Sequence, residues 1–138
     1  MDSDFGTILI ILVFLALIAG IVVFFTVLAK KAKKLSLQNE QYVQTLLSQL
    51  PDDKKTLFIL QYNNVKKNPT TAVLLALFLG GLGIHKFYLN NVGLGIVYLL
   101  FCWTYIPAII AFIEAFAISG VVANYNTKKA QEILMMLR

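Results

Sequence analysis

The sequence predicts an all-α membrane protein with three transmembrane helices: an N-terminal anchor, then a helical hairpin whose second leg is bent near Pro107, with short cytoplasmic amphipathic helices between them. Three observations support this. Hydrophobic residues make up 59% of the 138 and charged residues only 14%, with a mean hydropathy of +0.76, too little charge for an ordinary soluble domain. Residues 7–29 carry no charge at all. Eleven of the twelve basic residues fall within 30–67 or 128–138, leaving Lys86 alone between two apolar stretches.

The first element is the uncharged run from Thr7 to Ala29, 23 residues interrupted only by Gly20 and followed by Lys30, Lys31, Lys33 and Lys34. As a helix it is about 34 Å long, enough to cross a hydrocarbon core of about 30 Å. A cleaved secretory signal is the competing reading. Asp2 and Asp4 stand where such a signal carries lysine, and the run exceeds the usual apolar length, so a retained anchor over residues 1–29 is expected. Lysines after the helix place Met1 outside and Lys30 in the cytoplasm.

Residues 30–68 form the one sizeable polar segment, too short for an independent core, and are expected to be a cytoplasmic amphipathic helical linker. Tyr42, Val43, Leu46, Leu47 and Leu50 recur at helical spacing, and Pro51-Asp52-Asp53 separates them from a second helix carrying Leu57, Phe58, Ile59, Leu60 and Tyr62. Three fates suit these apolar stripes: packing against each other, self-association along a short heptad seam of Leu35, Tyr42, Leu46 and Leu50, or lying in a lipid interface rich in anionic lipid.

Asn68 caps and Pro69 starts the next helix, because proline lacks the N–H that would be orphaned in a first turn. Its uncharged run, Pro69 to Ile84, is 16 residues. Extension through His85, Lys86, Phe87 and Tyr88 brings it to a full span, with Lys86 snorkelling and the aromatics at headgroup level. The motif containing Gly80, Gly81 and Gly83 then reads as the outer cap of a hairpin over residues 69–123 that turns at Asn90-Asn91. The stretch from Val92 to Ala123 is longer than one straight span, and Trp103 and Pro107 mark a bend, either a kink in one helix or an ordered break between two. Both lysine-rich segments on one side require an even number of crossings between them. Three crossings in all, with residues 124–138 as a cytoplasmic C-terminal tail, meet that condition.

Small residues form two ridges at helical spacing, Ala72, Ala76 and Gly80 on the first leg and Ala111, Ala115 and Ser119 on the second, suited to close helix crossing. Glu114, the one acid in an apolar span, costs a few kcal/mol if isolated in lipid, so it must face protein or water or be protonated. It is the candidate functional intramembrane acid. In a straight hairpin His85 and Glu114 differ in depth by roughly 25 Å. They meet only if the second leg folds back at Pro107.

The pattern offers little for catalysis. There is one histidine, one cysteine (Cys102) within an apolar stretch, and no serine placed with a base. No enzyme activity, metal or cofactor is expected. Gly80-Gly81-Leu82-Gly83 lacks the Gly-Lys-Ser/Thr ending of a phosphate loop. Membrane topology accounts for the lysines, so no nucleic-acid partner is expected.

Taken in order, Lys66-Lys67-Asn68-Pro69, Gly80-Gly81-Leu82-Gly83-Ile84-His85-Lys86-Phe87-Tyr88-Leu89, Phe101-Cys102-Trp103-Thr104-Tyr105-Ile106-Pro107 and Ile113-Glu114-Ala115-Phe116 resemble the bacterial branch of the TM2 (two-transmembrane) domain family, over about residues 50–134. The resemblance implies a membrane hairpin with cytoplasmic ends and mostly uncharacterised roles. Members outside bacteria often carry an acidic-Arg-Phe tripeptide likened to a receptor-coupling motif; this chain has His85-Lys86-Phe87 there, a departure from the receptor-like pattern. The N-terminal helix lies outside the resemblance. The expected protein is a non-enzymatic integral protein of the inner membrane, N-terminus outside and C-terminus cytoplasmic. It would be a homo-oligomer or a membrane scaffold subunit that recruits cytoplasmic partners, with anionic lipid on that side. The alternatives are an immunity factor against a toxin or phage superinfection, suggested by the similarity of small superinfection-immunity proteins to this hairpin, and an oligomeric pore or proton path through Glu114.

Overall fold

The computed structural model describes residues 2–138, with side chains from Phe5 onward, and every regular element among them is helical. Helix α1 spans Asp2–Leu47, α2 Asp52–Val65, α3 Pro69–Leu79, α4 Ile84–Tyr88, α5 Val92–Phe101 and α6 Ile106–Leu137. Among the described residues two helices, α1 and α6, are long and apolar enough to cross a membrane.

No glycine or proline interrupts residues 21–50, so α1 continues unbroken past the lysine cluster and the linker begins inside the anchor helix. Pro51 ends it, and Asp52 and Asp53 then occupy the first turn of α2, where carboxylates complement the helix dipole. The residues expected as a C-terminal tail are the last turns of α6.

Helices α1 and α6 run parallel in constant register. Asn39 with Thr127, Tyr42 with Gln131 and Gln49 with Arg138 are hydrogen-bonded pairs 88, 89 and 89 residues apart. Phe24 stacks on Phe112 with ring centroids 5.3 Å apart, which continues the same offset upward. Between them α2 runs the other way, its Lys54 donating to the Leu137 carbonyl at one end and its Tyr62 meeting Asn39 at the other. The resulting three-helix core contains Val43, Leu46, Leu50, Phe58, Ile133 and Leu134. The stripes on α1 are thus covered by the chain's own helices, and Leu46 and Leu50 of the heptad seam are buried there.

Helix α3 packs antiparallel on α6. Asn68 caps it by accepting from the backbone N–H groups of Thr70 and Thr71 at 2.8 and 3.4 Å. Ala72, Ala76, Gly80, Ala111, Ala115 and Ser119 are all buried. A Cβ at Gly80 would collide with the Ala111 Cβ, so the two backbones approach as closely as glycine permits.

The helix expected to continue from Pro69 to Tyr88 stops at Leu79. A 3₁₀ turn over Gly80–Leu82 leads to Gly83 in the left-handed conformation, φ 71°, and α4 returns along α3. Tyr88 Oη consequently accepts from the Asn68 N–H at 2.8 Å, although a straight helix would separate these residues by about 30 Å. His85 is therefore buried and Lys86 and Tyr88 half-buried against the fold, with Phe87 left exposed, and the segment does not extend α3 into an outer cap. Glycine is required twice over at Gly83, since a Cβ there would also strike the Tyr98 Cβ. After Asn90, φ 62°, α5 ascends. A second reversal then uses a 3₁₀ turn over Cys102–Thr104 and Tyr105 at φ 59°, with Pro107 in the first turn of α6. The two open possibilities at Pro107 resolve into a chain reversal between two helices.

Gly83→Ala should therefore destabilise the protein by about 1–3 kcal/mol, combining a strained φ with overpacking. Gly120→Ala, where an added Cβ meets nothing within 4 Å, should be neutral or stabilising by a few tenths of a kcal/mol, about what removing a helical glycine gives. Thermal unfolding of the lipid-reconstituted proteins by circular dichroism distinguishes the two.

Candidate functional site

Both reversals bring polar side chains onto Glu114. This residue lies on α6 between the ridge positions Ala111 and Ala115, and its carboxylate reaches sideways to α4 and α5. Lys86 Nζ donates to Oε1 at 2.7 Å, Tyr98 Oη donates to Oε2 at 3.0 Å, and His85 Nε2 stands 3.0 Å from Oε2. An ionised carboxylate only accepts, so His85 carries a proton on Nε2 in this arrangement. His85 is fully buried and Lys86 is 13% exposed at its side chain, whereas the Glu114 side chain is 33% exposed.

Aromatic packing fixes the donors. The His85 and Tyr98 rings meet edge to face at 5.3 Å, and the Lys86 ammonium lies 5.5 Å from the Tyr98 ring centre. Phe87, on the other side of α4, covers Gly95 so closely that a Cβ there would come within 2.7 Å of the ring. The cost of a carboxylate in an apolar span, a few kcal/mol, is offset by charge-assisted hydrogen bonds worth about 1.5–3 kcal/mol each. His85 Nδ1 and Ser119 Oγ remain buried without a hydrogen-bond partner. A lateral groove of about 160 Å³, bordered by His85, Lys86, Leu89, Asn91, Glu114 and Ile118, gives the carboxylate its partial exposure.

The residues singled out in the sequence divide by location. Glu114, His85 and Lys86 form the cluster; Gly80, Gly81 and Gly83 make the turn above it. Tyr88 sits at the opposite end of α4 on Asn68. Trp103 is exposed and Pro107 buried at the second reversal, where Cys102 is a free thiol. Among the described residues no group of three or more His, Cys, Asp or Glu side chains gathers to hold a metal. Tyr98 was not singled out by the sequence. Its signal was a lone hydroxyl in an otherwise apolar ten-residue helix. Nor was Asn126, which clamps the Lys67 backbone by accepting from its N–H at 2.7 Å and donating to its carbonyl at 2.8 Å.

Comparison with known proteins places this cluster inside a defined region. Residues 65–116 match the TM2 domain family. Over 49 residues the chain is 74% identical to an uncharacterized membrane protein of Bacillus subtilis, YozV, covering 36% of this chain and 62% of that protein. The match thus spans about three fifths of that relative's length. Over 78 residues it is 36% identical to an uncharacterized protein of Methanocaldococcus jannaschii, covering 56% of this chain and 77% of the relative. Over 63 residues it is 41% identical to a TM2 domain-containing protein of Dictyostelium discoideum, covering 46% and 40% respectively. No solved structure matches.

Glu114→Leu leaves Lys86 without its carboxylate and should cost about 1–3 kcal/mol, between the values for exposed and buried pairs. The double variant Glu114→Leu with Lys86→Met removes both charges and should recover part of that loss. A double-mutant cycle on unfolding in lipid, with a coupling above about 0.5 kcal/mol expected for groups in contact, checks this.

Proposed function

Because the chain belongs to the TM2 domain family, we propose that it is a non-enzymatic integral membrane protein whose hairpin and anchor hold a cytoplasmic helical bundle for partner recruitment, as the membrane subunit of a larger assembly. The carrying observation is apolar surface on the bundle, well away from the apolar half of α1. Leu57, Ile59 and Leu60 on α2 are 44–61% exposed, and Met135 and Met136 on α6 are 68% and 77% exposed. Where such apolar side chains join into one patch, they mark an interaction surface. Two of the bundle's three helices run unbroken into the apolar region, so whatever docks on the bundle is held rigidly against the membrane part.

The N-terminus lies outside and the bundle lies on the cytoplasmic side of the inner membrane, supported by the lysines after Ala29 and at residues 128–138. The depth of the hairpin follows from helix register. With an offset of 88 residues, Ile106 stands level with Ile18, the middle of the α1 apolar run. The outer end of that run, at Thr7, is about 16 Å farther along the axis. Helices α3 and α5, of 11 and 10 residues, are each about half the length a span requires. In this reading α1 alone crosses completely, and the hairpin enters from the cytoplasmic side and turns near mid-bilayer. Lysine-rich segments on one side require an even number of crossings between them, and zero satisfies that as two does.

All acceptor atoms of Glu114 face Lys86, His85 or Tyr98, which weighs toward a structural clamp over a proton path. Proton flux in liposomes should accordingly be unchanged on Glu114→Gln.

Trp103 is the sole tryptophan, so its fluorescence reports the reversal's depth. Quenching should be strongest by lipids brominated deep in the acyl chain; strongest quenching by an aqueous quencher at the outer face would mean a full crossing. A photocrosslinker at Leu60 should yield a discrete higher-mass adduct in native membranes, with none from Thr45. Absence of an adduct, together with a monomeric mass for the gently solubilised protein, would contradict the assembly role.

A further inference from the structure

A polar pocket of about 290 Å³ opens where α2 ends and α3 begins, against α1 and α6. That volume far exceeds the roughly 30 Å³ share of one water. Lys66 and Lys67 stand on its rim, and neither has a carboxylate within 4.0 Å among the described residues, since the ion pairs there involve Lys55, His85, Lys86 and Lys129. Their positions are nonetheless organised. Asn126, only 4% exposed, holds the Lys67 backbone by two hydrogen bonds. The Lys67 ammonium lies 5.1 Å from the centre of the Tyr88 ring, and that of Lys66 lies 6.0 Å from the centre of Tyr62. Tyr62 is fixed in turn by Asn39, itself 8% exposed and held by Thr127.

Glu40 supplies the pocket's one carboxylate. Two ammonium groups against one carboxylate leave a single positive charge, the complement of one phosphodiester. Depth selects the source of that phosphate. Ser36 and Asn39, on the α1 wall, lie about 10 and 15 Å past Ala29 along the axis, just beyond a headgroup layer of roughly 5–8 Å on each side. The pocket therefore opens at the outer edge of the headgroup layer, where the long flexible stems of Lys66 and Lys67 let their ammonium groups meet a lipid phosphate.

We infer that this pocket binds the phosphate of a membrane phospholipid headgroup, through Lys66 beside Tyr62 and Lys67 positioned by Asn126. The inference rests on placing the lysine cluster after Ala29 at the membrane boundary, and is independent of the recruitment role. The seated lipid would tie the start of α3 to the bundle.

The test is native mass spectrometry of the full chain extracted gently from membranes, with phospholipid retention as the readout. Lys66→Gln with Lys67→Gln should reduce retention about tenfold or more, as expected for two surface cations acting on one anionic group. Lys66→Arg with Lys67→Arg should preserve it. Lys30→Gln with Lys33→Gln, an equal loss of charge elsewhere, should leave it near wild type, and circular dichroism should show all three helical. Wild-type retention when Lys66 and Lys67 are both replaced by glutamine, or an equal loss when Lys30 and Lys33 are, overturns the site. Inorganic phosphate bound in place of lipid overturns the membrane source. The Leu60 crosslink reports separately on recruitment, so failure of either idea leaves the other legible.

Discussion

The architecture depends on one carboxylate being satisfied inside an apolar region. Glu114, in an apolar stretch with its side chain only 33% exposed, is held by donors that α6 itself does not supply. Lys86 and His85 reach it only because the chain reverses at Gly83, and Tyr98 reaches it only because the chain reverses again between Cys102 and Tyr105. Tyr98 and Glu114 are 16 residues apart in sequence; on one continuous helix they would be about 24 Å apart. The hydrogen bonds and the reversals thus require each other. Glycine at positions 80, 83 and 95 supplies the space in which three short segments converge on that one group.

The same interlocking joins the apolar and polar halves. Helices α1 and α6 hold one register from the Phe24–Phe112 stack down to the Gln49–Arg138 hydrogen bond. The ridge of Ala111, Ala115 and Ser119 continues on α6 into Ala130, Ile133 and Leu134 of the bundle core. Asn126 sits at the junction and fastens the chain entering α3 to α6. No flexible linker separates hairpin from bundle along α6. The bundle is thus a rigid extension of the apolar helices and not a loosely tethered unit.

Much of this was legible in the residues. Asn68-Pro69 announces a helix start by cap chemistry, and Pro51 with two aspartates announces another. An acid in an apolar stretch drew attention to Glu114 by the cost of leaving it alone. The reversals were hidden because hydropathy measures only the length of an apolar run, and Pro69 to Tyr88 is long enough for one helix. A left-handed glycine at position 83 converts that length into two short antiparallel pieces. The partner Tyr98 carries no pattern of its own; its role arises from the fold alone. Nor does charge report depth: lysines fix the side on which a segment ends, and a re-entrant hairpin ends on the side where it began.

The most direct test of the central claim uses the fact that His85 is the sole histidine. In lipid bilayers, protein labelled with ¹⁵N-histidine and ¹³C-glutamate gives one imidazole whose Nε2 can be dephased by a nearby side-chain carboxyl in a dipolar-recoupling solid-state NMR experiment. The 3.0 Å contact with Glu114 predicts strong dephasing of Nε2, lost in Glu114→Gln grown with the same labels. No dephasing in the native chain would mean the roughly 25 Å separation of a straight hairpin, and would contradict the folded-back architecture.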